Sequence, residues 1–173
     1  MKDYTIYQLL SLLDQSYQHW TGQKLNVPKE MEGQRLFWLD EQSPYGLLAQ
    51  NIDEQSPYGL LAQNIDVEPL FIYANKKSQN MFGYTLEEFL LLPSSHSASP
   101  TVQKDRNQLV QEVMTQGIVT HYQGTRVDKN GYFFEITQGS IWKLLNESGE
   151  TLGIAAMITS NNKKGETMTK LRF

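Results

Sequence analysis

Three histidines, a cluster of serines and a pair of adjacent carboxylates carry the obvious chemical potential of this chain, and none of them makes a reaction centre by spacing. His19 stands beside Trp20 in a helical pattern, His96 in a serine-rich loop and His121 beside Tyr122 in a strand pattern, so no ligand-spaced metal motif connects them. A single histidine can ligate haem iron, but Ser94, Ser95, Ser97 and Ser99 around His96 supply no apolar wall for haem. The same serines lack a nucleophile elbow and a neighbouring base. Glu87 and Glu88 project about 100° apart on a helix, which suits first-turn dipole partners and not a shared acid–base pair. Glycine-rich phosphate loops are absent. With no cysteine in the chain, disulfides, thiolate nucleophiles, cysteine-ligated zinc and iron–sulfur clusters are excluded. The chain reads as a non-enzyme without a metal site.

Composition narrows the partners. The 173 residues are 39% hydrophobic and 11% aromatic, enough for one domain with a sizeable core. A formal charge of −4, small and mixed, argues against a nucleic-acid surface or a polybasic membrane anchor. The first residues contain no apolar signal core, and no run reaches the roughly 18 apolar residues of a membrane span. A soluble, cytoplasmic protein is the expectation.

The elements that would position any site follow from periodicity and punctuation. Ile6, Leu9, Leu10, Leu13, Tyr17 and Trp20 recur at spacings of three and four before Gly22, which predicts an amphipathic first helix. Met31, Leu36, Phe37, Trp38 and Leu39 predict a second, shorter one. Pro69 opens a strand, Leu70 to Ala74, and Asn75 then caps a helix that Gly83 ends. Thr85 to Glu88 has capping-box spacing. Lys104 to Gln116 reads as a longer helix with Leu109, Val110, Val113 and Met114 on one face. Strands are expected over 118–127, from Tyr132 to Leu145 and from Leu152 to Thr159, joined at Asp128-Lys129-Asn130-Gly131 and Asn146-Glu147-Ser148-Gly149. Two strands, short helices and three strands is the order of a PAS domain. The predicted class is α+β: a PAS-like five-stranded antiparallel sheet with short helices on one face and an N-terminal helical extension. The expected organisation is an extension over 1–39, a PAS-like domain over 40–160 and a flexible tail over 161–173.

Local strings sharpen this. Pro69 to Asn75, Phe82 to Phe89, Leu92-Pro93-Ser94, Gln116-Gly117-Ile118, Tyr122 to Val127, Ile141 to Leu145, Gly149 and Gly153 to Ala156 together resemble the MEKHLA family, and Leu12 to Tyr17 with Gly22 is similar to the opening of its stand-alone bacterial members. The resemblance implies a PAS-related sensory or regulatory module with no established reaction or ligand. The family's association with plant homeodomain–leucine-zipper factors does not transfer to a chain that carries neither element. Tyr132 to Glu135 stand where members tend to have arginines, and Ile154 where glutamine is usual, so ligand contacts by those residues do not carry over.

In a PAS-like arrangement the pocket lies between the sheet and the short helices. The ligand-binding set expected there is Tyr73, Asn75, Phe82, Phe89, Tyr122, Arg126, Phe134, Trp142 and Met157, with Thr125 and Gln138 as further polar tips. Taken singly, each aromatic reads more readily as core than as lining, and Arg126 is also readable as a cross-hairpin partner of Glu135. Absence of cysteine excludes a flavin domain of the cysteine-adduct type; no particular cofactor is indicated. Two readings stand: a sensory module that binds a small molecule of unspecified identity and signals by protein contact, or a ligand-free module that homodimerises through its first helix or its sheet face. In neither case is nucleic acid or membrane a partner.

One feature is independent of all this. Asp40 to Ile52 is followed at once by an identical copy, Asp53 to Ile65. Both copies fit the first strand. Using the second keeps a tight hairpin into the next strand, whereas using the first lengthens that connection by a closure cost of roughly 1.5 kcal/mol. The expectation is Tyr58 to Ile65 in the sheet, with Asp40 to Ile52 displaced as a loop or added edge segment.

Overall fold

The computed structural model describes residues 3–41, 58–97 and 103–160. Five antiparallel strands, β1 (Gly59–Asn64), β2 (Phe71–Ala74), β3 (Ile118–Val127), β4 (Phe133–Leu145) and β5 (Thr151–Thr159), form one sheet in the order β2-β1-β5-β4-β3. The second copy of the repeat supplies β1, as expected. Of the first copy, Asp40 and Glu41 close a helix; the placement expected for its residues 42–52 lies outside the described residues, as does the tail over 161–173.

Helices α1 (Ile6–Thr21) and α2 (Arg35–Glu41), joined through a 3₁₀ turn over 29–34, cover one face of the sheet. Thr5 caps α1 in a reciprocal box with Gln8, and Gly22, at φ 82°, ends it in the left-handed conformation. The stripe read from the sequence is covered from Leu9 onward, while Ile6 at its start is exposed: Leu10 and Leu13 are fully covered, Tyr17 meets the Trp142 ring edge-on at 5.0 Å, and Trp20 Nε1 donates to the Lys143 carbonyl at 3.0 Å. Each fully buried leucine contributes about 1.5–3 kcal/mol.

The opposite face carries α3 (Lys76–Phe82), α4 (Leu86–Leu90) and α5 (Gln103–Gln116). Asn75 and Thr85 cap α3 and α4 as their positions predict. The Asp128–Gly131 turn forms with Gly131 at φ 86°, and Asp128 Oδ1 accepts from the Asn130 and Tyr132 amides, which closes the β3–β4 hairpin. No helix among the described residues is long and apolar enough to cross a membrane.

Irregularities in the sheet decide which side chains face which helices. Ala62 pairs with Tyr73 but Gln63 with Phe71, so β2 carries one extra residue; β3 carries one between Val119 and Tyr122, and β4 one between Ile136 and Gly139. Each bulge reverses the side-chain alternation. Phe71 therefore faces α3 and α4 while Tyr73 faces α1, and Phe134 and Ile136 face one way while Trp142 and Leu144 face the other.

Candidate functional site

A cavity of about 70 Å³ lies between the sheet and α5. β1 contributes Leu61 and Gln63, β2 Phe71, α3 Phe82, β3 Tyr122 and Arg126, β4 Ile136 and Ile141, β5 Ile154, Ala156 and Ile158, and α5 Arg106, Leu109 and Val110. Its walls are aliphatic and aromatic, and among the described residues its charged groups are two guanidiniums, each only 9% exposed.

The sequence aims both arginines inward for local reasons. Arg106 lies three and four residues before Leu109 and Val110, on the apolar face of α5. Its Nη2 donates to Ser94 Oγ at 2.5 Å and to Gln63 Oε1 at 3.0 Å, so neutral acceptors from two other elements hold the head group. Arg106 is pushed below the ordinary arginine pKa, first by burial and then by the like charge of Arg126, with Tyr122 opposing. Arg126 opposes Phe134 in the ladder and shares its face, whereas Thr125 opposes Glu135 and takes its carboxylate at 2.7 Å. The alternative pairing of Arg126 with Glu135 is thus corrected: period-two alternation sends the two side chains to opposite faces. Arg126 instead donates to the Thr125 carbonyl and stands 5.3 Å above the centroid of the Tyr122 ring.

Tyr122 is delivered by the β3 bulge. His121 adopts φ 59°, rare for a residue with a side chain, and Gly124 leaves the space that the Tyr122 phenol occupies. Phe82 continues the site into the core, packing edge-on against Phe134 at 4.9 Å and Phe89 at 5.6 Å.

Of the nine residues expected at a pocket, Phe82, Tyr122 and Arg126 line this cavity, and Phe89 and Phe134 support it from behind. The other four are placed elsewhere by the structure. Tyr73 and Trp142 are fully buried under α1 and α2, and Tyr73 donates to Asp40 Oδ1 at 2.5 Å. Met157 borders a separate, more polar cleft of about 320 Å³ with Tyr17, Lys24, Tyr58, Gln138 and Ser140. Asn75 is consumed by structure: Oδ1 accepts from the Leu60 and Ser78 amides, and Nδ2 donates to the Leu39 and Tyr58 carbonyls. Sequence reading missed two polar lining residues, Gln63 and, above all, Arg106. Its i, i+3, i+4 relation to Leu109 and Val110 was the available signal, masked by charged neighbours Lys104 and Asp105.

No group of three or more metal-ligating side chains converges among the described residues.

A five-stranded antiparallel sheet in this order, flanked by short helices with a small cavity between them and the sheet, defines a PAS-like domain. Solved structures agree on the fold. A PAS domain from Colwellia psychrerythraea superposes with a TM-score of 0.57 at 17% identity, over 74% of this chain and 94% of that one. A light-oxygen-voltage domain studied with a flavin analogue gives 0.52 at 17% identity, over 70% and 88%, and an RNA-binding light-oxygen-voltage receptor 0.56 at 12%, over 78% and 35%. At such identities the likeness shows the fold alone. The chain belongs to the MEKHLA domain family, whose model matches residues 7–162. No curated protein matches it.

Proposed function

We propose that this chain is a sensory module that binds a small molecule in the cavity between the sheet and α5 and signals its occupancy by protein contact. The observation that carries this reading is the apolar cavity into which the polar groups of Gln63, Arg106, Tyr122 and Arg126 converge from three elements, β1, α5 and β3. A tricyclic flavin, of the kind used with one structural neighbour, is far larger than about 70 Å³. One water needs roughly 10–15 Å³ of such space, so the cavity suits a molecule of a few heavy atoms.

Phe82 lines the cavity and packs on Phe89 of α4, whose neighbours Leu90 and Leu91 are exposed. That row of contacts supports α4 as the surface through which occupancy is read. The homodimer reading is less favoured, because the apolar stripe of α1 covers the chain's own sheet.

The test is to denature the purified protein, identify released small molecules by mass spectrometry and screen metabolites for a thermal shift. A released or stabilising compound whose effect is lost when Ala156 is enlarged to Leu supports the reading. An empty protein with no stabilising compound counts against it.

A further inference from the structure

We infer that the ligand of this cavity is a small organic monocarboxylate, its anionic head taken by Arg106 and Arg126 and its short apolar body lying against Leu61, Ile136, Ile141 and Ile154. The inference rests on the sensory reading above and names the chemical class that this site would take.

Charge balance is the first ground. Two guanidiniums are buried in one apolar cavity, and neither meets a carboxylate among the described residues, where the arginine and lysine ion pairs are those of Arg35 with Asp14 and Glu32 and of Lys129 with Glu88. Buried charges are ordinarily paired, because removing them from water is costly and like charges aggravate it. An anion bound between them removes both penalties together.

Unused donors are the second. Arg106 engages only Nη2, and Arg126 only Nη1; the remaining guanidinium nitrogens of both have no hydrogen-bond partner among the described residues. The partners they do have are neutral. Gln63 and Ser94 fix Arg106, and the Thr125 carbonyl and Tyr122 ring fix Arg126, which orients the forks without neutralising them. Preorganised forks match a planar carboxylate.

Size and lining are the third. About 70 Å³ holds a head group with a short chain, and the aliphatic walls reward apolar substance beside the charge. A neutral molecule of the same shape would leave both cations uncompensated. Inorganic phosphate would satisfy the cations and leave the aliphatic walls uncovered.

The experiment titrates the full chain calorimetrically with straight-chain carboxylates of two to eight carbons, with the matching amides and alcohols, and with inorganic phosphate. Expected is a chain-length optimum among the acids, with amides and alcohols weaker by about tenfold to a hundredfold, as suits loss of hydrogen bonds to charged groups. Arg106→Met and Arg126→Met should each weaken the best acid at least tenfold and narrow the gap between the acid and the matching alcohol. Amides that bind as tightly as acids, or phosphate that binds as tightly as the best acid, would overturn the carboxylate assignment and leave the sensory reading standing. Absence of binding by every probe would overturn this inference, while the sensory reading would still be judged by its own extraction experiment. A ligand-independent readout is the melting temperature: Arg126→Met should raise it in the free protein by removing an unpaired buried charge. A fall would assign Arg126 to the fold and overturn the inference.

Discussion

Asp14 and Arg35, twenty-one residues apart, form a partly buried two-point ion pair: Oδ2 accepts from Nε at 2.6 Å and Oδ1 from Nη2 at 2.9 Å. Oδ1 also accepts from the Leu25 amide at 2.9 Å, and Arg35 Nη2 donates to the Leu25 carbonyl. The pair thus clamps the segment after α1 against the start of α2, and the bond to Asp14 leads the causes that raise the Arg35 pKa. Breaking the pair leaves Arg35 with Glu32 as its charged partner and strands the buried Leu25 amide, so Asp14→Ala should cost about 1–3 kcal/mol in denaturant unfolding. Asp14→Ala combined with Arg35→Met should cost much less than the sum of the single changes.

Asn75 ties three elements with four buried hydrogen bonds. Asn75→Ala removes the N-cap of α3 and strands the buried Leu60 amide, at about 1 kcal/mol for the cap and about 1–3 kcal/mol for the unsatisfied amide. A loss of about 2–4 kcal/mol by urea melts, with an unchanged m-value, is expected.

The same asparagine makes the repeat testable. Because its Nδ2 bonds both Leu39 and Tyr58 carbonyls, those residues are neighbours, although eighteen residues (40–57) separate them in sequence. Deleting 53–65 brings an identical strand sequence to Leu39 through five residues (40–44). The shortened chain should fold with the same sheet and gain about 1 kcal/mol in closure entropy. Amide spectra that no longer superpose in β2 and β5 would refute this.

Gly153 sits opposite Asn64 at the end of the β1–β5 ladder, and a Cβ there would collide with the Gln63 carbonyl. Gly153→Ala should therefore destabilise by about 1–3 kcal/mol and shift the Gln63 resonances, since backbone cannot yield as a flexible side chain does. Thermal melts with heteronuclear NMR report both effects.

Glu88 accepts from Lys129 at 2.6 Å and from the Thr85 amide at 2.9 Å, and the Lys129 bond leads the causes that hold its carboxyl below the usual value of 4.5. With the folded pKa lowered, the unfolded chain takes up the proton first. The stabilisation is fully present above about pH 4.5 and lost as pH falls through the lower folded value. Stability–pH curves of the wild type and Glu88→Gln should converge in that acid window and run parallel above it.

Much of the fold is legible residue by residue. Asn75 and Thr85 cap helices, Asp128 to Gly131 turns a hairpin, and Leu10, Leu13 and Tyr17 mark a buried stripe, because each depends on neighbours within one turn or one loop. The expected PAS-like arrangement also put Phe82, Tyr122 and Arg126 at a pocket, and these three line the cavity. Tertiary structure alone decided the rest. Strict alternation puts Phe134 and Trp142 on one face, but a single extra residue in β4 turns them to opposite sides, and the bulge in β2 does the same to Phe71 and Tyr73. Bulges are set by pairing with a partner strand, which no local pattern contains. Arg106 reads as one of several charges at the start of a helix until Gln63 and Ser94, forty-three and twelve residues away, enclose it. Between two identical copies of one strand, side chains carry no preference at all; the choice lies in how chain connectivity meets Asn75, and that is a property of the folded whole.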